Sequence, residues 1–113
     1  MQGRLLLGVL FNGTRYFDFD VKILTLGLEC QALEWIEENR LAKDKLNKAE
    51  QTLVDLAYLC QQLEIIGIDK ANLTPEFLLD NLSTDDYVLI TDLIGQLRKK
   101  CIDAGESQAL TTA

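Results

Sequence analysis

The sequence predicts an α+β fold, mainly α by length: an N-terminal β-hairpin followed by about four helices, one of them short. Three observations predict it. Asn12-Gly13 stands between two β-prone runs, a strong short-range hairpin signal. From Thr25 onward, apolar residues recur at intervals of three and four, the period of one helix face. Helix-start residues (Thr25, Thr74-Pro75 and Ser83) punctuate that second part.

The hairpin is expected over residues 4–22, in the run GRLLLGVLFNGTRYFDFDVKI. A two-residue loop would pair Phe11 with Thr14 and set Leu5 and Leu7 opposite Asp20 and Asp18, mixing apolar and charged faces. A three-residue loop with a left-handed Gly13 pairs Leu10 with Thr14. It puts Leu5, Leu7 and Val9 on one face with Phe17, Phe19 and Val21, and Arg4 opposite Asp20. A one-residue slip moves every side chain to the other face. The pattern therefore selects the three-residue loop with a bulge.

The helical part spans residues 25–104. Thr25 caps LGLECQALEWIEEN, whose apolar positions Leu28, Ala32, Trp35 and Ile36 form one face. The mixed charges of Arg40 to Lys48 mark a polar join. Leu46, Ala49, Leu53, Leu56, Ala57, Cys60 and Leu63 then form the clearest stripe. Ile65 and Ile66 follow, and Gly67 suits the position after a helix. Thr74-Pro75 opens a short helix anchored by Phe77 and Leu78. Ser83 caps the last helix, with Asp86 three residues on as the weaker partner of a capping box. Its stripe is Tyr87, Ile90, Leu93, Ile94, Leu97 and Cys101. Asp85 and Asp86 at its start and Arg98 to Lys100 near its end suit the helix dipole. Gly105 is expected to end it. One domain, residues 1–105, with a flexible tail at 106–113, accounts for the 113 residues.

Charge and cysteine content narrow the function. The net charge of −7 repels a phosphate backbone, so nucleic acid is a poor partner. The longest basic run is Arg98-Lys99-Lys100. The first apolar run, Leu5 to Phe11, contains Gly8 and is too short for a signal peptide, and none reaches the roughly 20 residues that span a bilayer. Three cysteines, Cys30, Cys60 and Cys101, are widely spaced without a CxxC, which fits free thiols in a reducing cytoplasm.

No catalytic, cofactor or metal residues can be nominated. The chain has no histidine, the commonest general base and transition-metal ligand. Cys60 and Cys101 fall on apolar stripes and are expected to pack in the core. Cys30 sits near a helix start without another activating group, and packing is expected there too. Glu37-Glu38 and Asp85-Asp86 are sequence neighbours, which do not face each other on a helix. They read as solvated positions and helix caps. No GxxxxGK[ST] follows a strand, and the Asp69 and Asp80 regions lack the alternating oxygen ligands of a calcium loop. An enzyme would have to work with carboxylates, lysines or Cys30 alone. Protein binding is the expected mode of action. Its candidate residues are Leu6, Leu10 and Tyr16, pointing away from the apolar face of the hairpin, and Trp35, whose periodicity also suits the core. A lone hairpin leaves two open edges, so a homo-oligomer through the N-terminal hairpin is expected.

The C-terminal half, LTPEFLLDNLSTDDYVLITDLIGQLRKK, resembles the tail assembly chaperone family of Mu-like bacteriophages. The likeness lies in the Thr74-Pro75 start, the short leucine-rich helix, the Leu82-Ser83-x-x-Asp86-Tyr87 cap and the closing amphipathic helix. The opening is also similar: an apolar strand, a turn, an Asp/Phe strand, and Thr25 leading into a helix. The resemblance touches most of the chain apart from residues 37–50. It implies a protein that binds the tape-measure protein, assists tail-tube assembly without a nucleotide, and works in the host cytoplasm, absent from the mature virion. The alternative class is a small cytoplasmic adaptor or regulatory protein-interaction domain.

Overall fold

In the computed structural model, the backbone is described for residues 1–112 and the side chains for residues 1–105. The architecture is the expected α+β one: a hairpin of β1 (Gln2–Phe11) and β2 (Thr14–Val21), then α1 (Leu26–Glu38), α2 (Lys48–Gln62), β3 (Leu63–Ile65), the short α3 (Pro75–Asn81) and α4 (Thr84–Thr112). A single 3-10 turn, Lys70–Asn72, precedes α3.

The hairpin register differs from the expected one. Phe11 pairs with Thr14 across a two-residue turn, followed by Leu10 with Arg15 and Val9 with Tyr16. Asn12 and Gly13 both have positive φ, 50° and 77°, the backbone of a turn whose twist matches the flanking strands. The face-mixing that argued against this turn is removed farther along β1. There Leu5, Leu6, Leu7 and Gly8 stand against the single residue Phe17, and pairing resumes with Arg4 opposite Asp18, not Asp20. This wide bulge resets the faces. Leu5, Val9, Phe19 and Val21 are buried, whereas Leu7 turns outward and Phe17 is half-buried with the Arg4 guanidinium 4.7 Å above its ring. The face pattern assumed a single register along the whole strand, and the strand has two.

The second correction concerns the edges. The stripe of α2 does not continue as helix through Leu63 and Ile65. Those residues form β3, which pairs antiparallel with β2. Leu63 and Ile65 point inward beside Val21 and Phe19, while Glu64 is exposed, the alternation of a half-buried strand. The sheet order is β1-β2-β3. The outer side of β2 is therefore closed over its last residues, and the premise of two open hairpin edges does not hold.

Helix starts follow the sequence closely. Thr25 accepts a hydrogen bond from the Leu28 amide, Thr74 from that of Phe77, and Ser83 from that of Asp86. Asn47 and Glu50 add a reciprocal capping box at the start of α2, each satisfying an otherwise orphan amide. The end of α1 is a Schellman turn built without glycine. Arg40 takes φ 60°, its amide bonds Glu37, and the Leu41 amide reaches back to Ile36. Leu41 is thereby tucked against Ile36 in the α1–α2 core. α4 differs at its end. It runs through Gly105 to Thr112, so Arg98 to Lys100 lie within the helix and not in its last turn.

Two packed clusters share α2. One unites Leu5, Val9, Phe19 and Val21 of the sheet with Leu56, Leu59, Cys60, Leu78 and Ile90. The other joins Ala32 and Ile36 of α1 to Ala57 and Leu41. α4 packs chiefly on β1, not stripe-to-stripe along α2. Only Ile90 of its apolar stripe is fully buried, and Leu93, Ile94 and Leu97 are half-buried. Leu56→Ala and Ile90→Ala should each lower stability by about 2–5 kcal/mol, as for other cavity-forming core truncations. Leu93→Ala should cost less. Urea midpoints for the three variants would rank them, and equal losses at Leu93 and Ile90 would contradict this packing.

Candidate partner-binding surface

The most specific polar arrangement joins the β1 bulge to the start of α4. Asp86 is fully buried. Its carboxylate accepts hydrogen bonds from three successive backbone amides: Leu6 at 2.6 Å, Leu7 at 3.1 Å and Gly8 at 3.0 Å. The bulge makes this geometry available, because residues that leave the β2 ladder are free to turn their amides to a common point. Consecutive amides arranged in this way form a concave anion site. Gly8 closes the concavity at φ 78°, and a β-carbon there would lie 2.9 Å from the Tyr16 carbonyl oxygen. Asp86 stands in the first turn of α4, where the helix dipole also favours its charge. The Arg15 guanidinium donates to the Leu7 carbonyl at 3.1 Å, fixing the outer side of the bulge.

The sequence placed Asp86 in a capping box on a solvated helix start. The structure corrects this: its amide does bond Ser83, but its carboxylate crosses to the hairpin. No sequence signal marked the pairing, since its partners are backbone groups whose side chains are leucines and glycine.

The staple holds Leu6 and Leu7 outward, and Leu10 stands outward beyond it, in the ladder opposite Arg15. Leu6 is 65% exposed, Leu7 51% and Leu10 45%. Backbone held by a buried carboxylate cannot readily turn Leu6 and Leu7 inward. Leu6 and Leu10 thus stand where the sequence placed them, and Leu7 joins them although the face pattern assigned it to the core. Tyr16 does not. It is half-buried, packs against the main core and lies over Gly67. Trp35 is half-buried and packs against the α1–α2 cluster. Its edge lines a cleft of about 210 Å³ with Gln31, Cys60, Lys70 and Pro75.

The cysteines and Lys70 are placed by packing and capping or stand exposed. Cys60 is buried, and burial pushes its thiol up to about 12, with Lys70 pulling weakly the other way. A protonated thiol is a poor nucleophile. Lys70 donates to the carbonyls of Cys60 and, at 2.6 Å, Leu63. It thus caps the end of α2 where the helix hands over to β3, and partial burial lowers its pKa. Cys30 and Cys101 are both exposed, against the expectation that they pack. Cys101 has the period of an apolar stripe and Cys30 sits near the start of α1, but no element covers either thiol. A cleft of about 320 Å³ lies between α2, α3 and the start of α4, with Asp55, Leu78, Leu82 and Tyr87 among its lining. Among the described residues no three acidic or cysteine side chains converge as metal ligands, and no helix is long and apolar enough to cross a membrane.

Two measurements check these assignments. Asp86→Ala leaves three amides without their acceptor and should destabilise the fold by roughly 3–5 kcal/mol, whereas Asp86→Asn, which keeps one carbonyl oxygen, should recover part of that loss. A urea midpoint for Asp86→Ala within about half a kcal/mol of the parent would refute the staple. Thiol titration of the native chain should find Cys30 and Cys101 reacting fast and Cys60 only on unfolding. Between about 9 and about 12 the folded thiol keeps a proton that the unfolded one releases, so Cys60 contributes stability that falls as pH rises through that window.

No family model, curated protein or solved structure matches this chain.

Proposed function

We propose that this chain is a tail assembly chaperone of the phage or prophage type: it binds a tape-measure protein, assists tail-tube assembly and acts without catalysis. The observation that carries the proposal is the set of three exposed leucines, Leu6, Leu7 and Leu10, on a strand fixed by the Asp86 staple. Large apolar side chains held toward solvent mark an interaction surface. A pre-formed surface binds without paying to order itself first. An extended amphipathic helix with an apolar stripe, such as a tape-measure protein would offer, has the chemistry to cover it. The resemblance of the Thr74-Pro75 and Leu82-Ser83-x-x-Asp86-Tyr87 segments to the chaperone family supports the same reading. So do the reactive groups, each committed to packing, capping or an isolated surface position. The proposed setting is the host cytoplasm, with release before the virion is complete.

Co-expression should raise the soluble yield of the tape-measure protein encoded beside this chain, without added nucleotide, and the two should co-purify. Leu6→Lys combined with Leu10→Lys should abolish both effects while leaving the thermal midpoint within a few degrees, because both side chains are exposed. An unchanged yield with no co-purification of the parent chain would sink the proposal.

A further inference from the structure

Two apolar ridges on this molecule lie uncovered and carry opposite charge. On the exposed side of α1, beside the buried Ala32 and Ile36, the residues at helical spacing are Leu26, Cys30 and Leu33. Leu26 is 81% exposed, Leu33 47%, and Cys30 is exposed. Glu34 and Glu37 fall along the same side of the helix, and α1 holds four glutamates with no lysine or arginine. Among the described residues none of the four forms an ion pair, the three pairs present being Met1–Asp20, Arg4–Asp18 and Lys43–Glu50. An amphipathic helix buries one stripe and turns charge outward. α1 buries one stripe against α2 and shows a second apolar one to solvent.

The complementary ridge is on α4. The stripe that contains Ile90, Leu93 and Leu97 continues at helical spacing through Cys101 and Ala104. From Arg98 to Gly105 every residue is exposed, so the helix has left the body of the protein while its apolar stripe goes on. Arg98 and Lys100 flank that stripe, one on each side, and Lys99 adds a third positive charge. This is the longest basic run in a chain of net charge −7.

We infer that the distal part of α4 docks on the outer ridge of α1 in a second copy of this chain. Cys101 and Ala104 would lie against Leu26, Cys30 and Leu33, with Arg98 and Lys100 facing Glu34 and Glu37. Charge complementarity points to this occupant: the distal part of α4 combines three consecutive positive charges with an exposed helical surface, and α1 carries four glutamates and no positive charge. Within one chain, α1 packs on α2 and α4 on β1, and both ridges remain open. A single contact of about two helical turns is smaller than the roughly 1,200–2,000 Å² of a stable interface. A two-fold arrangement makes the same contact twice and closes. The interface uses none of the exposed β1 leucines, so it is independent of the partner-binding proposal.

Sedimentation of the full chain over the micromolar range tests the inference by charge exchange. The parent chain should associate, more weakly at high salt. Arg98→Glu with Lys100→Glu should weaken association by about tenfold or more, and so should Glu34→Lys with Glu37→Lys. A chain carrying all four changes should regain the parent's association, because each reversed charge again meets its opposite. A parent chain that stays monomeric throughout, or a fourfold variant as weak as the two pairs, would overturn the inference. A short bismaleimide gives a second readout. It should join Cys30 of one copy to Cys101 of the other, so that Cys30→Ser and Cys101→Ser each abolish the linked species. A linked dimer that persists in either variant would count against the docking.

Discussion

A single carboxylate fixes the relation between the two halves of this protein. Asp86 leaves water completely, and a buried carboxylate without partners would cost far more than the fold could tolerate. It is tolerated because three amides meet it, and those amides are available only because β1 abandons its ladder for four residues. The bulge in turn satisfies its own amides only because Asp86 is there. Each irregularity is the other's remedy. The seating of α4 on β1, the outward turn of the leucines and the two-register hairpin all follow from that exchange.

The other half is organised by α2, which is buried on two sides. Its Leu56, Leu59 and Cys60 belong to the sheet cluster, and Ala57 belongs to the α1 cluster. Leu63 is both the cap residue of α2 and the first residue of β3. With no loop between helix and strand, the orientation of α2 is tied to the sheet. Lys70 makes the join workable by supplying an ammonium to carbonyls that the ending helix leaves without partners. Its partial desolvation outweighs the pull of Cys60 and of Glu64 nearby, so its pKa stays below the usual lysine value.

Local chemistry was legible in the sequence wherever a residue acts on its near neighbours. Thr25, Thr74-Pro75 and Ser83 mark real helix starts, and the 3.6-residue period located Ala32, Ile36, Leu56, Cys60 and Ile90 in the core. What escaped depends on partners distant in the chain. Leu63-Glu64-Ile65 alternates as a strand, but the same residues also extend a helical stripe, and only the edge of β2 decides between them. Cys101 carries the period of a buried stripe, yet periodicity does not say where the neighbouring layer stops. Asp86 has the spacing of a helix cap, while its true acceptor role is written in backbone groups, which have no letter in the sequence. Arg40 in a left-handed position where glycine is usual was likewise hidden, held by the burial of Leu41 beyond it.

The staple also orders events in time. Its donors and its acceptor are separated by 78 to 80 residues, so closing it is among the most non-local steps this chain can make, and non-local closure is slow. During synthesis the bulge amides emerge first and the carboxylate that satisfies them emerges much later. Until α4 arrives, β1 is a strand with open amides and outward leucines, the state most prone to pairing with a foreign strand.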